Sequence, residues 1–145
     1  MKKLLTLTAL LLGSAAAVAL RGEKRTIGMP QWIADYSSLN FHGAGAPMNW
    51  AAWTDAKYGT AGRRLIPSGT AVSLVSGKIV PADGSLDTLL LFSDAREDAP
   101  TDSPSGYGLV TAGNVYEAQL PDSTGAPAVL ATAVRTKAAR FYLQQ

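Results

Sequence analysis

The sequence predicts a mainly β protein: a small antiparallel β-barrel or sandwich with one short C-terminal helix and an extended N-terminal arm. Two observations carry this prediction. Short apolar stretches between residues 63 and 121 are separated by Gly, Pro, Asp and Ser turn signals, as in small all-β domains. Residues 89–92 (LLLF) form a continuous apolar run, which is typical of a strand buried on both faces.

The predicted strands follow one another closely. Residues 64–66 run into a Pro67-Ser68-Gly69 turn, and residues 70–76 then alternate in polarity before a tight turn and a short return strand at 79–80. Two further strands, at 107–111 and 114–119, flank Ala112-Gly113, which predicts a hairpin. The core of this domain is predicted to contain the following side chains: Leu90, Phe92, Val110 and Val115.

The C-terminal stretch predicts a helix and a closing strand. Asp122 or Ser123 could cap a helix over residues 126–136, in which Pro127 is tolerated in the first turn. Residues 139–145 alternate in polarity and are interpreted as the last strand.

The order of these motifs resembles that of the tailed-bacteriophage head decoration proteins, also called capsid cement proteins. Residues 63–70 (RRLIPSGT) resemble the family's basic, apolar, Pro-x-Gly-Thr segment that leads into the barrel. Residues 89–92, followed by an acidic loop, resemble its central strand and variable loop. Residues 108–121 (GLVTAGNVYEAQLP) resemble its late hairpin, and the helix and final strand after Leu-Pro resemble the family as well.

The resemblance covers residues 60–145 and implies that they form a β-tulip-like decoration domain. It implies a structural virion protein that binds the outer surface of the capsid as a homotrimer and stabilises the expanded head. The implied partners are the major capsid protein and other copies of the chain itself.

Residues 1–59 are predicted to form an N-terminal arm and an aromatic segment that wraps the domain. The first 28 residues contain a basic start, an apolar run from Leu4 to Leu12 and a small-residue stretch, and we expect them to gain their structure on a partner. The alternative is a secreted or cell-surface β-rich binding module in which residues 1–19 are a cleaved signal peptide, since Ala17-Val18-Ala19 fits a cleavage pattern.

All three tryptophans lie in the irregular segment 29–62, where residues 49–58 predict a short helix with Asn49 as its N-cap. So many aromatic side chains either complete the core of the domain or line an interface, where Trp and Tyr are enriched. The candidates for contact with the capsid or within a trimer are Arg21, Lys24, Arg25, Trp32, Tyr36, Phe41, Trp50, Trp53, Arg63 and Arg64.

Charge is unevenly distributed along the chain, although the formal net charge is only +2. Residues 1–64 carry eight Lys/Arg and three Asp/Glu, whereas residues 83–122 carry one Arg and eight acidic residues. The basic tail that follows contains Arg135, Lys137 and Arg140. Such a pattern suits docking to a charged surface or head-to-tail contact between copies, and the alternative is a simple solvated surface. We expect neither a nucleic-acid nor a membrane partner.

The sequence offers little for catalysis. It contains no Cys and a single His, His42, in a Gly-rich loop, where a structural or exposed role is expected. Residues 69–78 lack the spacing of a phosphate-binding loop, and the acidic loop 93–105 lacks the spacing of an EF-hand and is expected to be solvated. We therefore expect no enzyme activity, no cofactor and no metal site.

Overall fold

The computed structural model describes residues 29–98, 106–121 and 130–144. These residues form a main sheet of six strands and a second sheet of two strands. The strands of the main sheet are β1 (Ile33–Phe41), β3 (Ala71–Val75), β4 (Lys78–Pro81), β5 (Leu89–Leu91), β7 (Leu109–Tyr116) and β8 (Phe141–Gln144). Those of the second sheet are β2 (Leu65–Ile66) and β6 (Ala95–Arg96).

The main sheet runs in the order β1-β7-β5-β3-β4, and β8 pairs with the second half of β7. All of its pairings are antiparallel except that of β7 with β8, which is parallel. The path begins at β1 and ends at β4, so the described strands form an open sandwich and not a closed barrel. The predicted mainly β class with antiparallel pairing and one short helix is confirmed.

The central strands are buried on both faces, as the apolar run at 89–92 predicts. Leu90 of β5 pairs with Val110 of β7, and the next pair along is Leu91 with Leu109. The first pair belongs to a core that also contains Trp32, Ile33, Val115, Leu120, Ala138 and Phe141. The second pair belongs to another core, with Ala46, Trp53, Ile66, Val72, Ile79 and Ala95. Successive side chains of a strand point to opposite faces, so one short strand supplies both cores.

The predicted core residues Leu90, Val110 and Val115 are confirmed as fully buried. Phe92 differs from the prediction, because it follows the last residue of β5 and is only partly buried at the edge of the first core. Its ring therefore remains available for contacts at the surface.

The predicted hairpin at Ala112-Gly113 is wrong, because β7 runs through both residues without turning. Gly113 instead lies opposite a bulge in β1: residues 36–39 all lie between the pairs Asp35–Asn114 and Asn40–Ala112, opposite this single residue. A second irregularity at Thr111 allows Val110 and Val115, which are an odd number of positions apart, to point into the same core.

The aromatic segment is part of the folded unit. β1 is the edge strand of the main sheet, and Trp32 and Trp53 lie in the first and second core respectively. Of the two alternatives for the aromatic segment, the structure supports the one in which it completes the core of the domain. A domain boundary between residues 59 and 60 would divide the main sheet, because β1 belongs to it. In place of the predicted helix over 49–58 there are two 3₁₀ turns, Trp50–Ala52 and Ala56–Tyr58, and the side chain of Asn49 makes no capping bond.

The C-terminal residues that the structure describes contain one helix, α1 (Thr132–Lys137), and then β8. The predicted first residues of this helix, 126–129, lie outside the described residues. α1 is fixed to the sheet by Thr88, whose hydroxyl donates to the Val134 carbonyl at 3.0 Å and whose N–H donates to the Lys137 carbonyl at 3.1 Å. The C-terminal residues thereby add Val134, Ala138 and Phe141 to the buried interior, the last two in the first core.

Candidate interaction surface

Three aromatic rings from separate parts of the chain meet at the edge of the main sheet. The Phe41 and Phe92 rings pack edge to face with centroids 5.1 Å apart, and the Tyr36 ring lies 6.4 Å from each of them. Tyr36 is 53% exposed and Phe41 is 44% exposed. We call these three residues the aromatic patch. Exposed and clustered aromatic side chains are common anchors of protein–protein contacts.

The irregular course of β1 presents Tyr36 to solvent. The Asp35 carboxylate accepts hydrogen bonds from the Ser37 N–H at 2.9 Å and from the Ser37 hydroxyl at 2.7 Å, which closes a local turn within the strand. The Ser38 hydroxyl donates to the Asp35 carbonyl at 2.6 Å and accepts from the Asn114 N–H at 2.8 Å. A bulged edge of this kind resists pairing with a foreign strand, so the surface offers side chains rather than backbone groups.

Phe92 is held in the patch through the Pro67-Ser68-Gly69 turn. The Ser68 hydroxyl donates to the Phe92 carbonyl at 2.6 Å and accepts from the Trp32 indole N–H at 3.1 Å. The Ser68 N–H donates to the Asp94 carboxylate at 2.8 Å. One serine thus ties the buried tryptophan, the patch and the start of the acidic loop together.

The structure separates the other predicted contact residues into three groups. Trp32 and Trp53 are buried within the chain itself, which removes them from the candidates for a contact surface. Trp50 is half-buried and packs edge to face on Tyr107 at 6.2 Å, while Arg63 is exposed. Three candidates lie outside the described residues: Arg21, Lys24 and Arg25.

Arg64 has a structural role in its own domain. Its guanidinium Nη1 lies 3.0 Å from Glu97 Oε1 and donates to the Trp50 carbonyl at 3.1 Å. Glu97 Oε2 in turn accepts from the Gly62 N–H at 2.7 Å. Because the two charged side chains are only 14% and 17% exposed, this pair is shielded and fixes the 62–64 loop to β6. Glu97, expected in a solvated loop, is therefore a structural residue.

Sequence reasoning misses two contacts, one in the aromatic patch and one between the main sheet region and α1. The apolar run predicts Phe92 in the core, and no local pattern indicates that its ring ends beside Phe41. Glu117 is buried and pairs with Arg135 of α1 across 3.0 Å, although the sequence separates the two widely. Both contacts depend on the three-dimensional path of the chain.

The described residues also bear on other kinds of site. Nowhere among them do three His, Asp or Glu side chains come together in a group able to hold a metal ion. His42 is exposed beside the end of β1, and its backbone N–H donates to the Leu109 carbonyl at 2.9 Å. Helices long and apolar enough to cross a membrane are absent from the part of the chain that the structure describes.

Comparison with known proteins gave no match: no family model matches the chain, and no curated protein or solved structure is significantly similar to it. The resemblance to head decoration proteins therefore stays a prediction, and the aromatic patch is the surface on which a functional proposal can be built.

Proposed function

We propose that this chain is a structural virion protein that binds the exterior of a tailed-bacteriophage capsid as a homotrimer and stabilises the expanded head. Its partners in this proposal are the major capsid protein and its own copies, and its location is the outer surface of the virion. Its action is binding and not catalysis.

The observation that carries the proposal is the aromatic patch. Two of its rings are about half exposed on a folded chain. The third belongs to Phe92, whose backbone carbonyl accepts a hydrogen bond from the Ser68 hydroxyl. Keeping such rings in water is unfavourable by roughly 25 cal/mol for each Å² of apolar surface, so a partner that covers them gains affinity. The motifs at residues 63–70 and 89–92 support a capsid as that partner, while residues 108–121 contain one strand where the resemblance implies a hairpin.

Stabilisation follows from linkage. A protein that binds the assembled, expanded lattice but not its separated subunits lowers the free energy of the assembled state alone. Contacts that span two neighbouring capsid subunits would oppose the outward pressure of the packaged DNA. A trimer multiplies these contacts, because the second and third copies bind at a high effective concentration.

The second candidate is a secreted or cell-surface β-rich binding module. The observation that favours it is the N-terminal sequence, in which Met1-Lys2-Lys3 and an apolar run precede Ala17-Val18-Ala19. The aromatic patch would serve this role equally well, so the two functions differ in location and partner.

Intact mass and cross-linking of the native protein test the proposal. We expect it to co-purify with phage particles, to keep its N-terminus apart from loss of Met1, and to give trimers as the largest abundant cross-linked species. A measured mass that corresponds to a chain beginning at Leu20, found in a fraction free of particles, would favour the secreted module. A ladder dominated by dimers on particles would contradict the trimer.

A further inference from the structure

A second surface, distinct from the aromatic patch, combines an apolar wall with two basic side chains. It is a groove of about 480 Å³, bounded by the end of β1, β3, the 85–89 segment, β7 and the residues that join α1 to β8. Its volume is in the range of pockets that hold small ligands or short peptide segments.

The apolar wall consists of Leu74, Leu86 and Leu89. Leu74 and Leu89 are partly buried at the margin of the second core, whereas Leu86 is 43% exposed. Because all three leucines line the groove, apolar side chains of a ligand bound there would contact them.

The basic side chains come from the C-terminal part of the chain. Lys137 and Arg140 both line the groove, and within the described residues neither forms a salt bridge with a carboxylate. The backbone carbonyl of Lys137, at the end of α1, accepts a hydrogen bond from the Thr88 N–H. This bond involves the backbone and leaves the Lys137 ammonium group to meet an incoming anion. Arg140 offers a planar, bidentate donor suited to a carboxylate.

The basic side chains that line the groove outnumber the acidic ones. Among the described residues, Asp87 is the one carboxylate that lines the groove. Asp83 is engaged with Ser85, whose N–H and hydroxyl donate to it at 2.8 and 2.6 Å. The Thr111 hydroxyl is likewise engaged, since it donates to the Asn40 carbonyl at 3.1 Å. With two basic side chains against the Asp87 carboxylate, the groove keeps an excess of one positive charge. Lys137, Arg140 and His42 supply its side-chain donors for an anionic ligand.

We propose that this groove binds a segment of a partner protein in which a carboxylate side chain lies next to large apolar side chains. The carboxylate would sit between Lys137 and Arg140, and the apolar neighbours would cover the leucine wall. A simple anion would use the basic groups alone and leave the leucines exposed, so the combination selects an acidic, apolar peptide. This inference does not depend on the proposed capsid function.

Titration of the ¹⁵N-labelled full chain with a blocked pentapeptide of alternating leucine and glutamate tests it. We expect saturable shifts of the Leu74, Leu86 and Thr111 amide signals. The glutamine counterpart of the peptide and inorganic phosphate should each bind at least tenfold more weakly.

The variant Lys137→Gln/Arg140→Gln should weaken binding of the glutamate peptide at least tenfold, and Lys78→Gln, a matched exposed lysine on β4, should change it less than twofold. Leu86→Ser tests the apolar wall separately and should also weaken binding, and the dispersed spectrum of each variant is the folding control. Equal binding of the glutamine peptide, or unchanged binding by both groove variants, would overturn the proposal. So would concentration-dependent shifts of the same residues without peptide, which would assign the groove to a second copy.

Discussion

Leu39 of β1 packs directly onto Gly113 of β7. A Cβ atom at position 113 would lie 2.6 Å from Leu39 Cδ2 and 3.2 Å from Leu39 Cα, and Gly113 has a φ of +148°. The glycine is thus required by the close approach of the β1 bulge and by its own backbone conformation. Tyr36 lies in the same bulged segment of β1 as Leu39, so this contact and the aromatic patch share one irregular stretch of the strand.

We expect Gly113→Ala to destabilise the chain more than a glycine substitution that causes backbone strain alone. Gly62 is the matched control, because it has a φ of +82° and a Cβ added to it would meet no atom within 4 Å. Strain of this kind costs roughly 1–3 kcal/mol, and Gly113→Ala should exceed the loss in Gly62→Ala because Leu39 must also move. Urea denaturation of both variants measures the difference. A smaller loss for Gly113→Ala would mean that Leu39 does not pack closely on Gly113.

Leu90→Ala should lower the free energy of unfolding by about 2–5 kcal/mol, because the side chain is fully buried between β3 and β7 and its removal leaves a cavity. Leu86→Ala, at an exposed leucine of the same part of the chain, is the control and should cost far less. Chemical denaturation followed by circular dichroism gives both values. If the two variants are equally stable, the placement of β5 in the core is wrong.

Acidification should weaken the turn at Asp83. Hydrogen bonds from the Ser85 hydroxyl and backbone N–H hold the pKa of the Asp83 carboxyl below its ordinary value. A depressed pKa means that this contribution to stability is present above the ordinary pKa and is lost as the pH falls through the folded-state pKa. We expect Ser85→Ala to raise the pKa of Asp83 toward the ordinary value in an NMR titration. Asp55, whose pKa is lowered chiefly by the Lys57 N–H, should keep its pKa in that variant, and an unchanged pKa of Asp83 would contradict the assignment.

Sequence reasoning succeeds where the signal is local. The apolar run at 89–92 predicts a strand buried on both faces, and Leu90 and Leu91 each supply a different core. It fails at Gly113, because the sequence alone does not distinguish a glycine that accommodates a bulge in the neighbouring strand from a glycine that permits a turn. The pairing of β1 with β7 joins residues on the two sides of the predicted 1–59 boundary, and it is a long-range contact that no periodicity in residues 29–62 indicates.

The candidate surface is predictable only in part. Tyr36 and Phe41 are predicted as contact residues from their aromatic character and lie exposed at the sheet edge. Trp32 and Trp53 have the same character but are buried, because the first packs under the Ser68 turn and the second within the second core. Composition indicates that aromatic side chains must be shielded from water. It does not distinguish burial in the core of the chain itself from burial against a partner.

The measurement that tests the central claim most directly is the occupancy of expanded, decoration-free heads across a concentration series of the protein. We expect Tyr36→Ala/Phe41→Ala to weaken binding at least tenfold, which corresponds to about 1.4 kcal/mol. Tyr142→Ala is the matched control, since Tyr142 is a 68% exposed aromatic residue of β8 outside the patch, and it should bind within twofold of the unaltered chain. Circular dichroism of all three proteins checks that each is folded. Equal occupancy curves for the double variant and the unaltered chain would contradict the assignment of the aromatic patch as the capsid-binding surface.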